Sequence, residues 1–245
     1  MDPTLYPALF APADGYVFVV TYGRSGSTLT HGLLNSIPGY CIRGENGDLT
    51  YFLSQAAHRV RTDDNYVWRR EDLLRPEAER RYFLRDILGT PADPWYGAEN
   101  VAPDEMELAL MDLFVRHVLR PDPGCRVCGF KEIRFHEHPA FFDAHLDTLR
   151  RAFPNSRFLF QTRDHAAVAK SGWWREMPEP RVRDTLTRAE ALFAEFSRAH
   201  PECCYTIRYE RYAEGLPYVA EIFDFLGEVP DPERIEKILS KSLKH

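Results

Sequence analysis

Residues 22–28 read YGRSGST, and these residue types in this order suit the binding of an anion. Gly23 and Gly26 allow turns that a Cβ obstructs, so successive amides can point inward as an anion nest. Ser25, Ser27 and Thr28 add hydroxyl donors, Arg24 places a permanent cation at the rim, and Tyr22 leads into the turn. The positive end of a following helix favours negative charge at the same place. A loop built for nucleotide hydrolysis has the pattern GxxxxGK followed by Ser or Thr, with the lysine on the terminal phosphates and the hydroxyl on magnesium. Here Ser27 and Thr28 follow Gly26, so a serine stands where that lysine would be. No apolar strand ending in a metal-binding aspartate accompanies the loop, because "SRFLFQT" runs into Arg163 before Asp164. The implied chemistry is anion binding without the apparatus of ATP hydrolysis. The plain alternative is a glycine turn that caps a helix.

The flanking elements are the ones such a loop requires. "GYVFVV" (15–20) is short, β-branched and apolar, as a buried parallel strand is. Leu29, Leu33 and Leu34 recur at helical spacing until Pro38 and Gly39 stop the helix. "PDEMELALMDLFVRHVLR" (103–120) predicts an amphipathic helix with Pro103 and Asp104 in its first turn. "CRVCGFKEI", "SRFLFQT" and "CCYTIRYE" predict three more strands, separated by the helical "FFDAHLDTLRRAF", by a helix from Asp164, and by a long helix ending near His200. "LPYVAEIFDFLG" predicts a helix ended by Gly227, with a short one from about Pro232. Strands alternating with helices predict an α/β chain, a three-layer α/β/α sandwich around a mainly parallel sheet. Residues 46–102 differ: they read as short helices and loops, an insertion able to cap a pocket. One domain over residues 1–245 is the simplest organisation.

Composition narrows the function classes. A formal charge of −6 over 245 residues argues against a general nucleic-acid binder. No run is long and apolar enough for a membrane span, and "MDPTLYPALFAPADG" lacks the pattern of a signal peptide. Five cysteines, with one CxxC at Cys125 and Cys128 and no second pair, suggest reduced thiols and no structural zinc. His136 and His138 flank Glu137 but lack further ligands nearby, so no metal is expected.

"TYGRSGSTLTHGLLNSIPG" resembles the 5′-phosphosulfate loop of the sulfotransferase superfamily, whose donor is 3′-phosphoadenosine 5′-phosphosulfate (PAPS). Those enzymes have a P-loop-like fold without the lysine. The Arg-Ser-Gly-Ser-Thr run is closer to the carbohydrate and tyrosylprotein branch than to the phenol-type enzymes, which carry lysine before the serine. "FLFQTRDHAAVAKS" resembles the superfamily's 3′-phosphate element: Arg163 ends a strand, and Ser171 follows eight positions later on the next helix. A guanidinium fork and a hydroxyl suit a terminal phosphate. "RYERYAEGLPYVAEIFDFLG" resembles the closing segment, with Tyr209 and Glu210 in structural roles. The likeness runs from about Val17 to Gly227. No glycine-rich C-terminal loop is present; Arg181, Arg183 or the C-terminal lysines are candidates to replace it.

The resemblance implies transfer of a sulfuryl group to an acceptor hydroxyl, releasing 3′-phosphoadenosine 5′-phosphate (PAP), with no metal. It places Tyr22, Gly23, Arg24, Ser25, Gly26, Ser27 and Thr28 on the donor's 5′ side, and Arg163 and Ser171 on its 3′ side. Glu45, in "RGENGD" after the first helix, takes the role of base, with His136 and His138 as competitors. Lys131 would stabilise developing charge. The plain alternatives are an exposed loop glutamate at 45 and a Lys131–Glu132 pair. The expected acceptor is a glycan or glycosylated metabolite, and Trp68, Trp95, Trp173 and Trp174 are candidates to stack on sugar. Arginines between 61 and 85 are candidates for an acidic acceptor. The expected location is the cytoplasm. Rival readings are a phenol-type or other small-metabolite sulfotransferase, a P-loop kinase, and a non-catalytic PAP-binding protein.

Overall fold

The first strand, β1 (Gly15–Val20), is buried along its whole length. It belongs to a computed structural model that describes residues 3–242. Its two faces meet different helices, as the two-residue period of a strand requires. Tyr16, Phe18 and Val20 pack with Met111, Phe114, Leu146, Leu149 and Phe193. Val17 and Val19 pack with Leu29, Leu33, Ile222, Phe223 and Ile235. A sheet covered on both sides explains the uninterrupted apolar run, since neither face meets water.

Among the described residues the sheet has five strands in the order β2-β3-β1-β4-β5, where β2 is Tyr40–Arg43, β3 Val127–Glu132, β4 Arg157–Thr162 and β5 Cys204–Arg208. All four pairings are parallel. The first side is covered by α4 (Pro103–Phe114), α5 (Phe142–Ala152) and α7 (Glu179–Ala199); the other by α1 (Ser27–Leu34), α8 (Leu216–Leu226) and α9 (Pro232–Ser242). This is the three-layer α/β fold expected from the alternation. From β1 the chain crosses outward to β2; from β3 it crosses back past β1 to β4. The carboxyl ends of β1, β3 and β4 therefore bound a topological switch point, where ligands of such sheets bind.

Several boundaries differ from expectation. The residue pattern does not predict strand β2: it has four residues, lies at an edge, and only Ile42 is both β-branched and buried. Helix α4 stops at Phe114, and Val115–Leu119 widen into a π-helical turn ended by Arg120 at φ 45°. The helix from Asp164 is only α6 (His165–Ala169), so Ser171 lies beyond it, ahead of a 3-10 turn at Gly172–Glu176.

Residues 46–102 contain α2 (Leu49–Thr62), α3 (Asp64–Leu73) and short turns, without a strand. Polar pairs hold much of this region: Arg69 meets Asp93 at 2.6 Å with both buried, and Arg61 bridges Asp104 and Glu107. Arg75 and Arg81 both pair with the buried Asp72. Four of the arginines between 61 and 85 are thus engaged within the chain. No helix among the described residues is long and apolar enough to cross a membrane. The five cysteines are free thiols.

Candidate active site

Between β1 and α1 the chain turns sharply through Arg24 (φ 67°) and Gly26 (φ 82°), with Ser25 between them. Left-handed residues alternating in this way turn neighbouring amides to one side, as an anion nest requires. A Cβ on Gly26 would fall 2.2 Å from the Tyr209 ring, and one on Gly23 would fall 2.2 Å from Trp173. Close aromatic contact, as much as backbone freedom, keeps both positions glycine. From below, Gln161 of β4 donates to the Ser25 carbonyl at 2.9 Å and accepts from Thr30 of α1. This buried glutamine is a support that residue type and position alone did not signal.

Arg163 leaves the end of β4 and returns to the loop. Its Nη1 donates to the Arg24 carbonyl at 3.0 Å, and its guanidinium lies 4.3 Å from the Tyr209 ring centroid. Arg24 Nε donates to Ser171 Oγ at 2.8 Å. Trp174 Nε1 donates to the Gly23 carbonyl at 2.9 Å. Tyr22 does not line the cavity: its hydroxyl donates to Glu190 Oε1 at 2.6 Å and accepts from the Arg163 amide at 2.8 Å. Burial and Glu190 push this phenol well above its usual range, so it stays protonated and anchors Arg163. Ser25 Oγ and Arg163 Nε are buried without a hydrogen-bond partner among the described residues. Two unsatisfied donors at one anion-shaped turn fit a phosphate-bearing ligand.

The β2–α2 connection brings Glu45 to the end of β3, where its carboxylate pairs with Lys131 Nζ. Lys131 does not pair with Glu132. Successive strand residues point to opposite faces, and Glu132 turns into the interior. Glu45 and Lys131 join Gly23, Arg24, Gly26, Ser27, Thr28 and Arg163 around a cavity of about 400 Å³, closed by Leu29, Ile133, Trp173 and Tyr209. His136 and His138 stay off this wall. His136 sits edge-on to Tyr22, and burial lowers its imidazole to about 4. His138 stacks on Tyr51 at 3.6 Å and approaches Asp48 at 3.7 Å.

Of the four tryptophans, only Trp173 lines this cavity, and it is 50% exposed. Trp68 packs with Arg81 and Phe83, and Trp95 with Arg69 and Tyr66. Tyr209, read from sequence as structural, is on the cavity wall. A neighbouring cavity of about 570 Å³ is lined by Arg163, Arg183 and Arg208 together with Asp164, Glu190 and Glu210; Arg181 does not line it. Lys237 and Lys241 are exposed on α9 and line neither cavity, and Lys244 lies outside the described residues. No cluster of three or more His, Cys, Asp or Glu is placed to hold a metal among the described residues.

The sequence profile of the sulfotransferase family matches residues 16–231. No curated protein matches the sequence. Among solved structures, the sulfotransferase domain from the curacin biosynthetic pathway aligns with TM-score 0.50 at 18% identity, covering 90% of this chain and 76% of that one. A sulfotransferase from Alicyclobacillus acidocaldarius aligns with TM-score 0.46 at 15% identity, covering 93% of this chain and 91% of that one. At 18% identity the first likeness speaks for the fold.

Proposed function

The chain belongs to the sulfotransferase family, and on that premise we propose that it transfers a sulfuryl group from PAPS to a hydroxyl of a carbohydrate or glycosylated metabolite. The observation that supports this most is one cavity wall assembled from four separate segments. It joins the Arg24–Thr28 loop, Glu45, Lys131 and Arg163.

PAPS supplies the activated sulfuryl group; the chain binds, orients and handles the proton. Arg163 and Ser171 hold the 3′-phosphate, with Tyr22 and Tyr209 fixing the arginine. Arg24 and the amides and hydroxyls of residues 25–28 receive the 5′ side, where preorganised donors stabilise charge as it develops. Lys131 adds positive charge at the same wall. Glu45, whose carboxylate is already on the cavity, takes the acceptor proton. The half-exposed Trp173 ring offers a face for a sugar. The Arg-Ser-Gly-Ser-Thr run and the glutamate after α1 favour the carbohydrate and tyrosylprotein branch. Residues 46–102 line neither cavity and take no direct part in this reading.

Purified protein should be supplied with PAPS and a panel of oligosaccharides, glycosylated metabolites, phenols and tyrosyl peptides. The expected result is PAP release with a sulfated saccharide by mass. Failure to bind PAP, or turnover of magnesium-ATP in its place, overturns the proposal; sulfation of phenols alone overturns the acceptor class.

A further inference from the structure

We infer that Glu132 is a positioning residue for Glu45, clamping the loop that carries the base against the end of β3; this rests on the sulfuryl-transfer reading above. Glu132 ends β3 and is fully buried. Its Oε2 accepts from the Asn46 amide at 3.0 Å and the Asp48 amide at 2.9 Å, and its Oε1 from the Ile133 amide at 2.8 Å. One carboxylate thus receives three backbone donors, the kind of charge-assisted contact that fixes a chain segment. The Glu132 carbonyl also accepts from the Thr21 amide at 3.2 Å, at the entrance to the anion loop. A single residue joins the β3 end, the 45–48 segment and the start of the phosphate turn.

The 45–48 segment needs such a clamp. Glu45 lies between Gly44 and Gly47, and a Cβ at either glycine would meet nothing within 4 Å. Neither position supplies a side-chain contact that could hold the segment. Gly47 and Asp48 both have positive φ, 72° and 58°. For Asp48 that conformation is disfavoured and must be imposed by surrounding structure. Asp48 is buried, yet neither of its carboxylate oxygens has a hydrogen-bond partner among the described residues. Its side chain does not hold the turn; its backbone amide, bound by Glu132, does. Lys131 and Glu132 divide the task by strand alternation. One side chain faces the cavity and pairs with the Glu45 carboxylate; the other faces inward and holds the backbone beside it.

The test uses the whole chain and three variants. Glu132→Asp keeps the charge but withdraws it by one methylene. Its Asn46 and Asp48 amides should exchange with deuterium about tenfold faster or more than in the unaltered protein. Turnover should fall by about 100-fold, as small misplacements of a catalytic group cost. PAP affinity should stay within about twofold, because the donor contacts are elsewhere. Glu132→Gln keeps one carbonyl for the Asn46 and Asp48 amides but sets its NH2 against the Ile133 amide, so turnover should fall, though by less than in Glu132→Asp. In a Glu45→Gln background, Glu132→Asp should cost less than about threefold more, since its effect runs through Glu45. Unchanged amide exchange, full turnover in Glu132→Asp, or an undiminished loss in the Glu45→Gln background overturns the inference. PAP affinity falling in step with turnover also overturns it. The exchange measurement needs no donor, so a clamp that fails is told apart from a chain that does not use PAPS.

Discussion

Arg24 Nε donates to Ser171 Oγ at 2.8 Å, across a sequence separation of 147 residues. The residue proposed for the donor's 5′ side and one proposed for its 3′ side are therefore in direct contact. Arg163 closes the ring by donating to the Arg24 carbonyl. The two phosphate-binding elements form one hydrogen-bonded unit, so a change at either is felt at the other.

Removing the guanidinium at Arg163 should weaken PAP binding by roughly 30- to 100-fold, about 2–3 kcal/mol for a charge-assisted contact. Arg163→Lys should recover only part of this, because an ammonium lacks the planar fork. Ser171→Ala should cost about 1 kcal/mol, or roughly fivefold. Calorimetric titration with PAP measures all three, and equal affinity for the Arg163→Ala and unaltered proteins refutes the 3′-phosphate assignment.

Glu45→Gln should lower turnover by about 10²- to 10⁴-fold, the usual contribution of a positioned base. PAP affinity should hardly change. Normal turnover in this variant removes Glu45 from the chemistry. Replacing His136 would then be the next measurement, since burial keeps that imidazole neutral with a value of about 4.

Gly26→Ala puts a Cβ 2.2 Å from the Tyr209 ring on a backbone at φ 82°. Overpacking of this kind costs about 1–3 kcal/mol, and the left-handed backbone adds to it. Thermal unfolding should shift down by several degrees and PAP binding should be lost with the loop shape. A Gly26→Ala protein of unaltered stability and affinity would mean that the aromatic contact does not shape the turn.

Burial, with Glu132 and Glu137 nearby, raises the Asp48 carboxyl from its ordinary 3.8 to about 7, while Arg134 opposes the shift. Between those values the folded chain holds a proton that the unfolded chain releases. Stability contributed by this group is present below the lower value and lost as pH rises through the upper one. Asp48→Asn should therefore stabilise the protein more at about pH 8 than at about pH 4. His138, 3.7 Å away, faces the same carboxyl. Melting temperatures at both pH values decide it: a gain independent of pH means that Asp48 carries its charge in the folded state.

The sequence alone determined the layered fold and the chemistry of one turn. Strands buried on both faces must be apolar throughout, so β1 and β4 were readable, and so was the alternation with helices. Glycines, hydroxyls and an arginine in seven consecutive residues carry their meaning locally. Strand β2 was not readable, because a four-residue edge strand with mixed burial leaves no periodic signal. Tertiary structure decided what meets across distance. Sheet order brings Glu45 to Lys131 across a separation of 86 residues, and strand alternation turns Glu132 inward to hold the loop. It also put Trp173 and Tyr209 on the cavity and tucked His136 against Tyr22. Residue type specifies what a group can do; only the register and packing of the sheet specify which groups share a wall.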